Sequence, residues 1–379
     1  MQTAPAQQKP IAPVDLAAER AELGVALEDA VLRVLRSGTY ILGPEVEKLE
    51  KDFAAYCNVP HGIAVATGTD ALILGLLAVG VKRGDSVVTS PFTFFASASC
   101  IAWIGATPKL ADVDPDTALL DPKKAEAAID GKTSCILPVH LYGQLADMRA
   151  IRALADKRGL KILEDGAQCH GAKRDGVSCG ELGDAGTYSF YPTKNLGACG
   201  EGGLIVTKNA DIATRAKRLR DHGSPQKYVH AELGTNSRLQ AFQGAVLNVK
   251  FPHLERWNVR RRELAARYDR NFAGSKTVLP LKLAANSVHV YHQYTVRIRA
   301  NRSRDEVLKL LGEQKIFCGV HYPTPVHLQP VAKGWGYGPG DFPISEALSR
   351  EVLCLPVHPF LTDAEIDRVS ESLLALAGA

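Results

Sequence analysis

The sequence has 379 residues, of which 46% are hydrophobic and 23% are charged, and its formal net charge is +4. This is the composition of a folded globular protein, and it excludes a disordered chain, a collagen-like repeat and a small domain stapled by disulfides. The length favours a large domain joined to a smaller one, and the nearly balanced charge gives no reason to expect a nucleic-acid partner.

The beginning of the chain and its cysteines indicate the compartment. Residues 1–13 are polar and rich in proline, which predicts a mobile tail without the features of a signal peptide. No apolar run approaches the roughly 20 residues of a membrane-spanning helix. The eight cysteines include no C-x-x-C pair, so a zinc site is not indicated and reduced thiols are expected. We therefore expect a soluble, cytoplasmic protein that binds no metal and no membrane.

The first two-thirds of the chain alternates between helical and strand-like patterns. An amphipathic helix is predicted at 16–35 and a second helix at 45–56, after which short apolar runs rich in Val and Ile alternate with helical stretches. The predicted strands are residues 62–66, 86–90, 107–114, 135–139, 161–165, 187–192 and 202–207. Nearly continuous apolar strands are typical of a mostly parallel sheet covered by helices on both faces. The predicted fold class is therefore α/β, with a three-layer α/β/α large domain.

The last third of the chain predicts a smaller α+β domain. A helical pattern at 238–270 is interrupted by Pro252, where a break is expected. A strand at 290–298 and a helix at 303–314 follow, and the final helix begins at Thr362. We place the large domain at residues 1–250 and the small domain at residues 251–379. The basic run at 260–262 is interpreted as a solvated helix face or an anion-pairing site.

Three polar features follow predicted strands, and each has an ordinary alternative. Lys194 follows the strand at 187–192; partial burial there would lower its pKa and make the amine nucleophilic, although a solvated loop lysine has the same sequence. Asp165 ends its strand, where it either caps the next element or holds a protonated pyridine nitrogen. The turn at 66–72 is either a phosphate seat at a helix N-terminus or a plain glycine-rich turn. Together these features match pyridoxal 5′-phosphate better than a nucleotide alone.

The sequence around these residues resembles the DegT/DnrJ-type sugar aminotransferases of the fold-type-I pyridoxal-phosphate superfamily. Eight blocks in the expected order carry the resemblance and span almost the whole chain after the tail. The blocks are ILGPEVEKLE (41–50), GTDAL (68–72), PFTFFAS (91–97), EDGAQCHGA (164–172), SFYPTKNLGACGEGG (189–203), NSRLQAFQGA (236–245), VHYPTPVHLQP (320–330) and LPVHPFLTDAEI (355–366).

The resemblance implies roles around the cofactor ring. Lys194 would be the catalytic residue, binding the cofactor as a Schiff base and later moving the proton. Asp165 would pair with the pyridine nitrogen, and Gln168 would hydrogen-bond the phenolic oxygen. Phe94 would stack on the ring face, where family members carry Trp, Tyr or Phe.

The resemblance also implies how the phosphate is held. Backbone amides and hydroxyls of one chain would bind it, and these belong to Gly68, Thr69, Asp70 and Ser189. Asn236 would reach the phosphate bound by the neighbouring subunit. The active site would therefore be shared within a homodimer.

The substrates implied by the resemblance are glutamate, as amino donor, and a keto-sugar attached to a nucleoside diphosphate. The form YPTKNLGA at 191–198 resembles the branch acting on 3-keto sugars. Relatives acting on 4-keto sugars more often carry a His two or three residues before the lysine, and this alternative stays open. His321, Tyr322 and His327 lie in a block that the family places near the sugar, with packing between domains as an equal alternative.

Two other functions are compatible with the same fold. A family branch that removes a sugar hydroxyl replaces the Schiff-base lysine with His, so Lys194 favours transamination over dehydration. A non-catalytic regulator could retain the pocket without using it. Loss of Lys194, Asp165 or Gln168 would favour the regulator, and all three are present.

Overall fold

A seven-stranded sheet with helices on both faces forms the centre of the protein. The computed structural model describes residues 9–378. The strands are β1 (His61–Val65), β2 (Ser86–Thr89), β3 (Thr107–Leu110), β4 (Thr133–Ile136), β5 (Lys161–Asp165), β6 (Lys173–Arg174), β7 (Val177–Ser178), β8 (Ala185–Ser189), β9 (Gly203–Thr207), β10 (Val278–Pro280), β11 (Ser287–Val288), β12 (Tyr294–Ile298) and β13 (Val352–Leu355).

The helices alternate with these strands through most of the chain. They are α1 (Leu16–Leu23), α2 (Val25–Ser37), α3 (Pro44–Tyr56), α4 (Gly68–Ala78), α5 (Ala96–Trp103), α6 (Pro122–Ala128), α7 (Met148–Arg158), α8 (Ala210–Leu219), α9 (Ala241–Lys250), α10 (Leu254–Asn271), α11 (Arg304–Glu313), α12 (Pro343–Glu351) and α13 (Asp363–Gly378). Within residues 9–378, no helix is both long and apolar enough to cross a bilayer.

The central sheet is mostly parallel, as its apolar strands predicted. Its strand order is β1-β9-β8-β5-β4-β2-β3. Strand β9 runs antiparallel to both β1 and β8, and the other neighbouring pairs are parallel. The carboxyl ends of six strands therefore meet at one edge of the sheet, which is where α/β proteins place their ligands.

Helices cover both faces of this sheet because neighbouring residues of a buried strand point in opposite directions. In β9, Ile205 packs into the cluster formed by α4, α5 and α8, whereas Leu204 packs with α3 and α9 on the other face. In β5, Leu163 joins the first cluster, and Ile162 packs with α6 and α7. The three-layer α/β/α class predicted from the sequence is confirmed.

Helix boundaries follow local backbone chemistry, with one departure from prediction. The predicted helix at 16–35 is two helices, because Gly24 adopts a φ of +57° between α1 and α2. A 3₁₀ turn, Phe251–His253, separates α9 from α10 at the predicted break. The final helix is capped reciprocally: Thr362 N–H donates to Glu365 Oε2 at 2.8 Å, and Glu365 N–H donates to Thr362 Oγ1 at 3.2 Å.

A second, antiparallel sheet of order β10-β12-β13 packs against α10, α11 and α13. These elements all follow residue 251, and the domain boundary at 250/251 stays a prediction. Residues 1–8 of the predicted tail lie outside the described residues. Ile11, also placed in that tail, is instead buried in this second core and pairs with Ile316 as a parallel bridge.

Candidate active site

A cavity of about 670 Å³ opens at the carboxyl edge of the central sheet, between the sheet and the C-terminal elements. Nine of the residues expected from the sequence line it: Gly68, Thr69, Phe94, Asp165, Gln168, Ser189, Lys194, His321 and Tyr322. Asp70, Asn236 and His327 do not line it. The fold therefore gathers residues from five separate sequence blocks around one space.

Lys194 lies in the loop after β8, with its backbone N–H donating to Tyr191 O at 2.9 Å. Burial lowers the pKa of the Lys194 amine from its usual 10.5 to about 8, and the negative charge of Asp165 partly opposes this shift. Removing an ammonium group from water disfavours its charged form. A pKa of about 8 leaves about a tenth of the amine neutral and nucleophilic at pH 7, far more than in a solvated lysine.

The lowered pKa of Lys194 predicts how covalent attachment of pyridoxal 5′-phosphate depends on pH. Only the neutral amine attacks an aldehyde, so the attachment rate to cofactor-free protein should rise about tenfold per pH unit below pH 8 and level off above it. Stopped-flow absorbance of the cofactor measures this rate. A rate that keeps rising to pH 10 would show that Lys194 retains the pKa of a solvated lysine.

Asp165 is buried at the end of β5, and two donors fix its carboxylate. Ser97 Oγ donates to Asp165 Oδ2 at 2.7 Å, and the backbone N–H of Ala167 donates to Oδ1 at 3.1 Å. Thr93 Oγ1 lies 2.9 Å from Ser97 Oγ and continues the chain of hydroxyls. Both carboxylate oxygens are thus oriented before any ligand arrives, which is the arrangement that an electrostatic partner of a cationic ring needs.

Replacing Ser97 with alanine should weaken this arrangement. The carboxylate of Asp165 would lose a charge-assisted hydrogen bond, which contributes about 1.5–3 kcal/mol to stability when one partner is ionised. We expect Ser97→Ala to lower the free energy of unfolding by that amount and to weaken cofactor binding, measured by denaturation and by cofactor titration. Ser99→Ala is the matched control, since Ser99 Oγ only donates to Ala96 O at 3.5 Å; equal losses in both variants would contradict the role given to Ser97.

The N-terminus of α4 forms a pocket for an anion. Thr67 caps the helix, and its Oγ1 accepts a hydrogen bond from Asp70 N–H at 3.0 Å. The first N–H groups of a helix have no partner within it, and the helix dipole favours negative charge there. A Cβ on Gly68 would lie 2.8 Å from Ser189 Oγ, so glycine allows the turn to lie directly against that hydroxyl. The site fits a phosphate held by backbone amides and Ser189.

Asp70 and Asn236 lie beside this seat but outside the cavity. The Asp70 carboxylate accepts a hydrogen bond from Ser237 Oγ at 2.9 Å, which ties the turn to the 236–238 segment. Asn236 is exposed, and its Oδ1 accepts a hydrogen bond from Arg238 Nε at 3.0 Å. Within one chain, Asp70 therefore positions its neighbours through its side chain, and the role of Asn236 across a dimer stays a prediction.

Gln168 and Phe94 flank the space between Asp165 and the C-terminal elements. Gln168 Oε1 accepts a hydrogen bond from the backbone N–H of Tyr142 at 2.6 Å, and its Nε2 donates to Tyr322 Oη at 3.2 Å. The amide nitrogen therefore faces Tyr322 and has a second N–H to offer. The ring of Phe94 is 58% exposed, with its centre 5.8 Å from that of Tyr322. An exposed ring at a cavity wall can stack on a flat ligand.

The two histidines expected near the sugar are in different environments. His321 lines the cavity, and burial together with the charge of Lys194 lowers its pKa to about 4, so its imidazole is neutral at neutral pH. Gln293 Nε2 lies 2.9 Å from His321 Nδ1. His327 is instead buried outside the cavity, with its Nε2 3.1 Å from Glu346 Oε1 and its ring edge against Phe342. Within this chain His327 makes the contacts of a packed residue, and its role near the sugar stays a prediction.

Several residues that shape the cavity were not expected from the sequence. They are Ser97, Tyr142, Arg261, His292 and Gln293. Ser97 lies at the end of the PFTFFAS block and Arg261 within the basic run at 260–262. Neither pattern indicated that the side chain faces the site. The other three carried no signal that sets them apart from core residues.

The observed groups fit pyridoxal 5′-phosphate. The cavity combines an anion seat at a helix N-terminus, a fixed buried carboxylate for a pyridine nitrogen and a lysine with a lowered pKa. Gln168 has a second N–H beside the one that it donates to Tyr322, and Phe94 supplies an exposed aromatic face. These are the protein groups that bind and tune this cofactor. Among the described residues, the one His/Cys/Asp/Glu cluster with metal-ligand spacing is His140, Cys169 and Cys179; all three are buried and none lines the cavity.

Comparison with known proteins agrees with this site. A family model described as the DegT/DnrJ/EryC1/StrS aminotransferase family matches residues 22–374. A pleiotropic regulatory protein of Geobacillus stearothermophilus is 47% identical over 363 residues, covering 95% of this chain and 96% of that protein. A dTDP-3-amino-3,4,6-trideoxy-alpha-D-glucose transaminase of Streptomyces venezuelae is 43% identical over 361 residues, covering 95% and 94%.

The fold agrees with a solved structure over nearly its full length. DesV of S. venezuelae, crystallised in complex with a ketimine intermediate, superposes with a TM-score of 0.95 and 42% identity, covering 98% of this chain and 100% of that one. The fold and the cavity therefore define a pyridoxal-phosphate aminotransferase. The chain belongs to the DegT/DnrJ/EryC1/StrS aminotransferase family, whose cofactor is pyridoxal 5′-phosphate.

Proposed function

We propose that this protein transfers the amino group of glutamate to the 3-keto group of a sugar attached to a nucleoside diphosphate. The observation that carries the proposal is one cavity containing Lys194 with a lowered pKa, the fixed carboxylate of Asp165 and the oriented amide of Gln168. The similarity to a relative named for a dTDP-3-amino sugar, and the YPTKNLGA sequence around the lysine, support the position of the keto group.

In the proposed reaction the cofactor carries the amino group, and residues of the chain hold and move protons. Pyridoxal 5′-phosphate, when bound, carries the amino group between the two substrates and withdraws electrons from the reacting carbon. The Asp165 carboxylate would hold a proton on the ring nitrogen, and Lys194 Nζ would move a proton at the amino-bearing carbon. Glutamate leaves as 2-oxoglutarate, and the keto-sugar leaves as the amino sugar.

One experiment distinguishes the proposed 3-keto sugar substrate from the alternative, a 4-keto sugar. Purified enzyme is supplied with glutamate and, in parallel, with 3-keto and 4-keto nucleotide sugars, and the position of the new amine is assigned by NMR. We expect turnover of a 3-keto sugar to a 3-amino product. A 4-amino product would overturn the proposed position of transfer without affecting family membership.

A non-catalytic regulator is the second candidate, favoured by the similarity to a Geobacillus protein named as a pleiotropic regulatory protein. The intact set of Lys194, Asp165 and Gln168 argues against it, because a pocket without catalytic function has no need of a lysine whose pKa is lowered to about 8. The distinguishing measurement is conversion of the bound cofactor by glutamate. Cofactor that stays unchanged in the presence of every tested amino acid and keto-sugar would favour the regulator.

We also propose that the active site is completed within a homodimer, with Asn236 reaching the phosphate of the partner. The side chain of Asn236 is exposed in one chain and does not line that chain's own cavity, and both observations support this proposal. Exposed apolar side chains occur on the same loop region, where Tyr228 is 84% and Leu233 is 96% exposed. Such side chains are typical of a surface that another protein covers.

Mixed dimers test whether the sites are shared. Lys194→Ala and Asn236→Asp should each inactivate a homodimer, the second by placing a negative charge beside the phosphate. In a one-to-one mixture, half of the dimers would be hybrids with one intact site, so about a quarter of the wild-type activity should return. Absence of any recovery in dimers shown to be mixed would place Asn236 in the site of its own chain.

A further inference from the structure

Arg261 is a buried cation in the wall of the cavity. It lies on α10, is 8% exposed, and lines the same space as Lys194. Its Nη1 donates to the carbonyl oxygens of Tyr291 at 3.2 Å and Val357 at 3.3 Å. Two carbonyls fix the side chain in position but do not neutralise its charge.

The guanidinium of Arg261 has no carboxylate partner among residues 9–378, unlike its neighbours on the helix. Arg260 pairs with Asp363 at 2.9 Å, and Arg262 pairs with Glu255 at 2.8 Å. The negative charge of Glu19 raises the pKa of Arg261, but Glu19 already forms an ion pair with Lys250. Burial lowers the pKa of Arg261 to about 10, so it remains charged at neutral pH. A buried charge without a partner is costly, which makes a bound anion the expected compensation.

The arrangement of the cavity indicates which anion this is. The phosphate of the cofactor is assigned to the N-terminus of α4, and Lys194 is assigned to the cofactor itself. Within the described part of the chain, Arg261 is then the one charged cation lining the cavity that has no assigned partner. Its Nε and Nη2 have no hydrogen-bond partner in this part of the chain, which leaves donors in the fork that matches a carboxylate.

We propose that Arg261 binds the α-carboxylate of the amino donor and thereby positions the donor's amine toward Lys194. This inference rests on the proposed function, and it names the group that recognises the donor. The alternative partner of Arg261 is an anion of the keto-sugar substrate, either its diphosphate or a carboxylate on the sugar, and the experiments below separate it from the donor. The keto-sugar and the amino donor bind the same cavity in turn. Arg261 would therefore be a specificity residue, because it contacts the donor and not the keto-sugar.

Binding of 2-oxoglutarate to the cofactor-loaded enzyme tests the contact without turnover. Calorimetry should show that Arg261→Gln weakens binding about 10- to 100-fold, the range for a lost hydrogen bond to a charged group. Arg260→Gln is the matched control on the same helix and should change the affinity by less than about twofold. Arg261→Lys keeps a positive charge but loses the two-pronged guanidinium, so its affinity for 2-oxoglutarate should lie between those of Arg261→Gln and Arg260→Gln. If Arg261→Gln does not fold, the affinity of Arg261→Lys tests the proposal. Unchanged affinity in the Arg261 variants would overturn the proposal.

The two half-reactions then identify the source of the carboxylate. Arg261→Gln should slow conversion of the cofactor by glutamate about 10- to 100-fold. The return half-reaction, with a nucleotide-linked keto-sugar whose sugar ring carries no carboxylate, should stay within about twofold. Equal slowing of both halves, or slowing confined to a sugar that carries a carboxylate, would overturn the assignment to the donor.

Failure of the donor assignment is distinguishable from failure of the Arg261 assignment. If glutamate does not convert the cofactor of the unmodified enzyme, the proposed donor is wrong. The role of Arg261 is then tested by measuring cofactor conversion with glutamine, which carries the same α-carboxylate. If glutamine is also inert, both proposals are overturned. If either amino acid converts the cofactor and Arg261→Gln does not slow it, only the role of Arg261 is overturned.

Discussion

Lys194→Ala should eliminate covalent attachment of the cofactor and reduce kcat by at least about 10²- to 10⁴-fold, the range that a positioned proton-transfer group contributes. The structure gives the reason: this amine lines the cavity, its pKa is lowered to about 8, and Asp165 is the acidic group that acts on it. The measurement is mass spectrometry after borohydride reduction, which retains the mass of the cofactor on the wild-type chain alone. Steady-state turnover measures the second effect.

The control for Lys194→Ala is Lys208→Ala. Lys208 follows β9, is exposed, and lies 3.9 Å from Glu181, so its removal should leave cofactor attachment and turnover unchanged. Non-covalent cofactor binding should survive in Lys194→Ala, because the anion seat of α4 and the Asp165 carboxylate are intact. Turnover at the wild-type rate in Lys194→Ala would refute the central assignment of this site.

The sequence could predict much of this site because strand ends bring distant residues together. Asp165 ends β5, Ser189 ends β8, and the 66–70 turn follows β1, so a mostly parallel sheet places all three at one edge. Each residue type also has a local signature there: a carboxylate after an apolar run, or small residues before a helix. The family resemblance then connected these positions to one cofactor.

The remaining contacts depend on tertiary geometry that no local pattern encodes. Ser97 and Asp165 are 68 residues apart, and their hydrogen bond depends on the direction of one hydroxyl on α5. The burial of Ile11 depends on pairing with Ile316 at the other end of the chain. Arg261 has the same sequence context as Arg260 and Arg262, and only the rotation of α10 turns it toward the cavity. Periodicity predicts a helix but not which of three adjacent arginines faces a ligand.

Asp165→Asn should reduce kcat about 10²- to 10³-fold, the cost of removing one fixed electrostatic group from an active site. The carboxylate accepts on both oxygens, from Ser97 Oγ on Oδ2 and from Ala167 N–H on Oδ1. An amide has only one oxygen, so its NH₂ group must face either one of these donors or the protonated ring nitrogen. The variant therefore cannot hold the ring proton and keep both existing hydrogen bonds.

Two measurements separate this electrostatic loss from a loss of structure. Cofactor affinity should fall together with kcat, whereas an equally buried control, Asp112→Asn, should lower stability without changing kcat per folded molecule. Asp112 accepts hydrogen bonds from Ser345 N–H and Ile344 N–H at 3.0 Å each and does not line the cavity. Equal kcat losses in the two variants would mean that Asp165 acts only as a buried structural carboxylate. We expect only Asp165→Asn to lose kcat. Of the two carboxylates, Asp165 alone lines the cavity in which the ligand binds.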